Sequence, residues 1–216
     1  IINIYNKNLH FFKIENFIDL SINDFKEINY SNIRKNIIYL GRLHPKKNIE
    51  ELIIAYSYLP NNIKNFHKLC IVGKGSKKYK KKLIELVINL NLSTYVIFEG
   101  FLSGKEKFRY LSKSKILVLP SHTENFGNVI LEAYACYLPC ICSVNTPWKA
   151  IDKINIGYTY EKGAKQLSYK INKILNWDEA KFKKACIDGR NYIKHKYSID
   201  DNYLHVQKII NKVILL

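Results

Sequence analysis

From residue 37 onward, strand-length apolar runs alternate with helix-length segments, and this alternation limits the folds open to the chain more than any other feature. The runs Asn36-Ile37-Ile38-Tyr39-Leu40, Lys68-Leu69-Cys70-Ile71-Val72, Tyr95-Val96-Ile97-Phe98 and Ile116-Leu117-Val118-Leu119 read as strands, and Cys140-Ile141-Cys142 as a shorter fifth. Each is apolar on successive residues rather than on every second one, the pattern of parallel strands covered on both faces. Helix-length segments lie near 48–59, 76–91, 104–114 and 127–137. Ser103 followed three residues on by Glu106 reads as a capping box opening the third of them. The expectation is an α/β fold with a doubly wound parallel sheet and right-handed crossovers. Such sheets bind ligands beyond the carboxyl ends of their strands, here the loops after residues 40, 72, 99 and 119.

The tail from about 163 to 213 reads as two or three polar helices, with breaks at Asn176-Trp177-Asp178 and Tyr197-Ser198. The head, residues 1–30, lacks the repeat and reads as a connection from upstream sequence. The chain starts at Ile1 and contains no Met, which is expected of a processed chain or a piece of a larger one. No apolar run reaches the roughly 18 residues of a membrane span, and no signal peptide opens the chain.

The formal charge of +17 invites a nucleic-acid reading, but its make-up argues against one. There are 31 Lys and only 4 Arg, beside 32 Ile and 23 Asn, a bias expected from AT-rich codons. Base readers favour Arg for its bidentate fork. The densest run, Lys77, Lys78, Lys80, Lys81 and Lys82, reads as a solvated helix face, with attraction to anionic lipid as the sharper alternative. The five cysteines form no CxxC pair and lie mostly in apolar segments, as small buried hydrophobes in a reducing compartment would. The cytosol is the default.

Glycines are scarce, and Gly41, Gly73, Gly75, Gly100 and Gly127 all fall at strand ends or a helix start. Val72-Gly73-Lys74-Gly75 resembles a phosphate-cradling turn, although a plain tight turn fits equally well. Arg42 and Lys47, five residues apart after the first strand, can clamp a diphosphate or be ordinary surface cations. In Pro120-Ser121-His122-Thr123-Glu124-Asn125-Phe126-Gly127-Asn128, a polar loop leads into a helix whose first amides form an anion site. Glu132 lies about a turn inside that helix. A carboxylate on an otherwise apolar face needs a hydrogen-bonding partner. Sugar hydroxyls or a salt bridge would each serve.

Together these residues resemble something specific. Glu124-x7-Glu132, with Phe126-Gly127-Asn128 between, looks like the EX7E signature of the retaining family-4 glycosyltransferases of GT-B fold. Gly41-Arg42…Lys47, Val72-Gly73-Lys74-Gly75, Phe98-Glu99-Gly100-Phe101, Pro120-Ser121 and Ala133…Leu138-Pro139 follow in that family's order. Asn145-Thr146-Pro147-Trp148 and Gly157-Tyr158 are similar to a subgroup among bacterial polysaccharide and lipopolysaccharide transferases. Ile14-Glu15-Asn16-Phe17-Ile18-Asp19 is similar to the linker between the two GT-B halves.

The resemblance implies the Rossmann-like C-terminal, donor-binding half of a GT-B fold. Residues 1–35 would be a remnant of the N-terminal domain and the interdomain linker. Residues 36–162 would bind the nucleotide-sugar, and 163–216 would add the C-terminal helices that complete the domain. Arg42 and Lys47 would hold the donor's diphosphate, and Glu124 would position the donor sugar. Glu132 would accept hydrogen bonds from the ribose. Backbone amides around Phe126, Gly127, Asn128 and Val129 would bind phosphate or sugar. The turn at Gly41, Gly73 and Gly75 would let the diphosphate approach, while Phe101 and Leu102 would border the base.

The donor would be linked to UDP or GDP, with no cofactor and no catalytic metal. The acceptor would be a cell-surface polysaccharide or lipid-linked glycan. The work would be done in the cytoplasm, with peripheral contact to the inner face of an anionic membrane and none with nucleic acid. The missing N-terminal half would carry the acceptor site and a catalytic-site His; His122 matches no required position and reads as a loop residue. The alternatives are a non-catalytic fragment or subunit of a split enzyme, or a GT-B nucleotide-sugar epimerase.

Overall fold

The structure, a computed structural model, describes residues 16–20 and 34–199, with positions 203, 206–208, 210 and 211 of the tail. The expectations for 1–15, for 21–33 and for most of a third tail helix lie outside the described residues. Among the described residues, six strands form one sheet: β1 (Asn36–Leu40), β2 (Leu69–Val72), β3 (Val96–Gly100), β4 (Ser114–Leu119), β5 (Cys140–Ser143) and β6 (Gly157–Tyr160). Their order is β3-β2-β1-β4-β5-β6, and every neighbouring pair is parallel. This is the doubly wound, Rossmann-like arrangement.

Both faces of the sheet are covered, which is why the strands read as unbroken apolar runs. Every residue of β2, β4 and β5 is buried. On one side α1 (Ile49–Ser57) packs against α3 (Lys77–Asn89) and α7 (Ala164–Leu175). On the other α5 (Asn128–Ala135) packs against α4 (Gly104–Lys113) and α8 (Glu179–Tyr197). Two short helices lie in the connections, α2 (Asn61–Phe66) before β2 and α6 (Ala150–Lys153) before β6. The lysines of α3 are exposed, and the helix buries Tyr79, Leu83 and Val87 instead.

The break at Asn176-Trp177-Asp178 separates α7 from α8, where the Asp178 side chain caps by accepting from Lys181 N at 2.7 Å. The break at Tyr197-Ser198 ends α8, and Ser198 bridges Ile18 in parallel. All five cysteines are buried and free. Among the described residues, no helix is long and apolar enough to cross a membrane.

Two local readings are corrected. β6 was not among the expected strands; it is a four-residue edge strand containing Gly157 and Thr159, too short and too mixed to stand out. The capping box at α4 does not form. Ser103 occupies the N-cap but makes no side-chain cap bond, and Glu106 is exposed. Gly104, the first helical residue, has φ 51°, so the first turn does not present its amides as a regular cap requires.

Candidate functional site

With this strand order, consecutive connections leave β1 and β4 toward opposite faces, so a crevice opens between the loops that follow Leu40 and Leu119. A cavity of about 570 Å³ lies there, with Gly41, Arg42, Lys47, Glu124 and Asn128 in its lining. A second, of about 650 Å³, is bordered by Gly73, Gly75, Phe101, Leu102, Lys107 and Glu132. Leu40, Gly41, Arg42 and Val129 line both, which makes one groove of two compartments.

The first compartment is built by two loops that hold each other. After β1, the fully buried Tyr39 donates its hydroxyl to the Arg42 carbonyl at 2.9 Å. Burial, reinforced by the Glu124 carboxylate, raises the pKa of that hydroxyl, so it stays a donor. A Cβ at Gly41 would stand 3.0 Å from it. A 3₁₀ turn, Pro45–Lys47, is capped by the His44 ring and carries Lys47 toward the crevice.

After β4, the buried Ser121 hydroxyl donates to Glu124 Oε1 at 2.8 Å, and Lys47 Nζ meets the same oxygen at 2.5 Å. The Lys47 and Glu124 side chains are only 21% and 11% exposed, so solvent screens this pair less than a surface one. His122 N donates to Lys46 O at 3.0 Å, tying the loops by their backbones.

Aromatic packing fixes the approach to α5. Trp148 Nε1 donates to the Phe126 carbonyl at 2.6 Å. The Phe126, Trp148 and Tyr197 rings lie 5.4–5.5 Å apart, centroid to centroid. Gly127 then turns the chain at φ 83°, where Leu119 and Trp148 already crowd the place a Cβ would take. The first amides of α5, at Asn128 and Val129, have no intrahelical acceptor and border the compartment. Asn128 Oδ1 also accepts from Asn16 Nδ2 at 2.6 Å.

In the second compartment, Glu132 Oε1 is 2.8 Å from Lys107 Nζ of α4. Phe101 is exposed, with the Lys74 ammonium 4.8 Å from its ring centroid, and Leu102 packs against the core. The glycines of the β2 loop have a different cause from the expected one. A Cβ at Gly73 would fall 1.8 Å from Gly41 O, and one at Gly75 would fall 2.1 Å from Leu43 O. Gly41 N donates to Val72 O, Leu43 N donates to Lys74 O, and Leu43 bridges Gly75, so the parallel ladder continues past the sheet. These glycines are required by the neighbouring loop's backbone, and they border the groove as a consequence.

The structure therefore gathers Arg42, Lys47, Glu124, Phe126, Gly127, Asn128 and Val129 in one compartment and Gly73, Gly75, Phe101, Leu102 and Glu132 in the next. His122 is an exposed loop residue. Sequence reasoning gave no role to Ser121 or Trp148, which hold Glu124 and Phe126 in place. It missed Lys107 altogether, since nothing marks that lysine among 31 except its nearness to Glu132 in space.

The sequence model of the family described as Glycosyl transferases group 1 matches residues 22–189. The uncharacterized glycosyltransferase MJ1607 of Methanocaldococcus jannaschii is 29% identical over 184 residues, covering 83% of this chain and 45% of that protein. HepE of Anabaena, solved with UDP and glucose, has a TM-score of 0.76 at 17% identity, over 91% of this chain and 55% of that one. The C-terminal domain of LpcC, a glycosyl transferase group 1 family protein from Francisella tularensis, has a TM-score of 0.70 at 24% identity. That match covers 84% of this chain and 99% of the LpcC domain. At these identities the structural likeness establishes the fold. The chain spans about half the length of the curated relatives it matches over most of its own sequence.

Proposed function

This chain belongs to the group 1 glycosyl transferases, and from that membership we propose that it is the donor-binding half of a retaining, family-4 GT-B enzyme. The enzyme moves a hexose from a nucleotide-sugar to a polysaccharide or lipid-linked acceptor. One observation carries the reading: Arg42 and the Lys47–Glu124 pair lie beside the α5 N-terminus, and Glu132 lies in the adjoining compartment.

In this reading the diphosphate lies over the first amides of α5, where helix dipole and unpaired N–H groups favour an anion. As the bond between the anomeric carbon and the phosphate oxygen breaks, charge builds on the diphosphate, and Arg42 and Lys47 oppose it. Glu124, held by Lys47 and Ser121, orients the sugar. Glu132 accepts from the ribose, and the base lies toward Phe101 and Leu102. HepE, of the same fold, was solved with UDP, which makes UDP the first nucleotide to try. The nucleotide-sugar is a substrate, and the reading assigns no cofactor. Its setting is the cytoplasmic face of a membrane, where the exposed lysines of α3 can meet anionic lipid.

The test is calorimetric titration of the chain with UDP, GDP and ADP, beside Arg42→Ala and Glu132→Ala. Selective binding of one nucleotide, weakened at least tenfold (about 1.4 kcal/mol) by either change, is expected. A folded chain that binds none of the three overturns the reading.

A further inference from the structure

The turn that carries Lys47 is held in part by a ring that titrates. His44 precedes a proline, which favours its extended backbone (φ −151°, ψ 145°), and it is the N-cap of the 3₁₀ turn Pro45–Lys47. Lys47 N donates to His44 O at 2.8 Å and Asn48 N to Pro45 O at 3.0 Å, bonds that need no particular charge on the ring. The Lys46 amide instead donates to His44 Nδ1 at 3.2 Å. That bond requires a lone pair on Nδ1, hence the neutral ring with its proton on Nε2. Lys46 O accepts from His122 N at 3.0 Å, and Lys47 Nζ holds Glu124 Oε1 at 2.5 Å. Whatever frees the Lys46 amide therefore loosens the join between the two loops of the first compartment.

We propose that His44 is a pH-sensitive latch on this turn: when the ring takes up a proton, the turn loosens and the first compartment holds an anionic ligand less well. The consequence for nucleotide rests on the donor-site reading above; the latch itself does not. Once protonated, Nδ1 is a donor facing the Lys46 donor, so the cap is lost and the amide turns to water. The groups around the ring keep their charge meanwhile. Lys78, Tyr79, Lys81, Lys82 and Glu85 of α3 share with His44 a hollow of about 610 Å³. Lysines stay protonated and glutamates ionised between about pH 5.5 and 7.5, where an imidazole titrates. The same holds for Lys46, Lys47 and Glu124 across the turn. Burial and the bond to Glu50 raise the Tyr79 hydroxyl, which keeps its proton. The loop after β4 adds a second imidazole, His122, joined to the turn through its backbone. A new positive charge on His44 would by itself attract an anion. The ring lines neither compartment of the groove and faces the α3 side, so at about 0.15 M salt that attraction is largely screened and the lost cap decides the sign.

The experiment follows two readouts between about pH 5.5 and 7.5, in about 0.15 M salt, on the parent, His44→Asn, His44→Ala and His122→Gln. The first is the amide resonance of Lys46 in the chain without ligand. The second is the affinity for UDP (or GDP, whichever the chain binds) by calorimetry. A terminal phosphate itself titrates near about pH 6, so each affinity is divided by that of His44→Asn, whose side chain caps without titrating. In the parent the Lys46 amide shifts as the ring titrates, and the affinity ratio falls at least about threefold toward acid, within the range an N-cap supplies. His44→Ala binds less well at both ends of the window, with a flat ratio. His122→Gln keeps the pH dependence of the parent.

A Lys46 amide that titrates alike in the parent and in His44→Asn overturns the proposal. So does a parent ratio that is flat, or that rises toward acid. A pH dependence lost in His122→Gln also overturns it, because the titrating group would then belong to the other loop. Nucleotide binding with a flat ratio refutes the latch and leaves the donor site standing. A chain that binds no nucleotide at any pH refutes the donor reading, and the Lys46 amide then decides the latch alone.

Discussion

Gly75→Ala isolates the contact between the two loops that floor the groove. A Cβ there would stand 2.1 Å from Leu43 O and 2.7 Å from Leu43 Cβ, where ordinary contact begins near 3.4 Å. Neither the carbonyl oxygen nor the Cβ moves when the Leu43 side chain rotates, so the loops must part by more than an ångström. Parting them breaks the Leu43 N to Lys74 O bond of 2.9 Å. Losing that hydrogen bond costs about 0.5–1.5 kcal/mol, and the overpacking adds about 1–3, for a total of about 1.5–4.5 kcal/mol. For a chain of this size that lowers Tm by roughly 3–18 °C.

Gly100→Ala is the matched control. Gly100 has φ 78° but nothing within 4 Å of its Cβ position, so only backbone strain of about 1–2 kcal/mol applies. Urea unfolding of both variants, with nucleotide titration, is the assay. Arg42 lies between Gly41 and Leu43, so Gly75→Ala also weakens nucleotide binding, and Gly100→Ala does so much less. A Gly75→Ala protein within 0.5 kcal/mol of the parent (roughly the scatter of neutral surface changes), binding nucleotide unchanged, refutes the account of the ladder.

Two further outcomes follow from buried titratable groups. Burial raises the Glu50 pKa, but hydrogen bonds from Tyr79, its own backbone amide and Lys82 outweigh it and hold the carboxyl below its ordinary 4.5. A depressed folded pKa gives stability that is present above the ordinary value and lost as pH falls through the folded one. Glu50→Gln should therefore flatten the fall of the urea midpoint below pH 4.5; a variant as acid-sensitive as the parent contradicts this. The thiols of Cys136, Cys142 and Cys186 are pushed up to about 12 by burial, and those of Cys70 and Cys140 are also raised. At pH 8 the folded chain should react with a thiol reagent at least about a hundredfold more slowly than the urea-unfolded chain. One thiol labelled at the unfolded rate would show an opening at that site.

The strands were legible because a parallel strand between two helical layers has no polar face to hide it. The five expected strands lie within two residues of β1 to β5. Loops after Leu40 and Leu119 were legible as the ligand edge for a topological reason, since the order β3-β2-β1-β4-β5-β6 parts them there. What escaped the sequence is what depends on distance. Gly73 and Gly75 were read as openings for a ligand, whereas the carbonyls of Gly41 and Leu43 demand them. Glu132 was open to sugar hydroxyls or a salt bridge, but the salt-bridge partner could not be named: Lys107, 25 residues away, holds one of its oxygens. The Ser103 cap failed on a single backbone angle at Gly104, which composition does not encode.

The bridge between Ile18 and Ser198 has a mechanical consequence. Ile18 N donates to Tyr197 O, and Ile199 N donates to Ile18 O, so segment 16–20 and the end of α8 form a two-bond coupling. Tyr197 meets Phe126 edge to face and Trp148 at a tilt, and Asn16 reaches Asn128. A force on segment 16–20 is thus transmitted along two routes, one through the aromatic cluster and one through the paired amides. Both end at the α5 N-terminus. Tension on that segment and occupancy of the groove would act on the same few atoms, so each would alter the stiffness felt by the other.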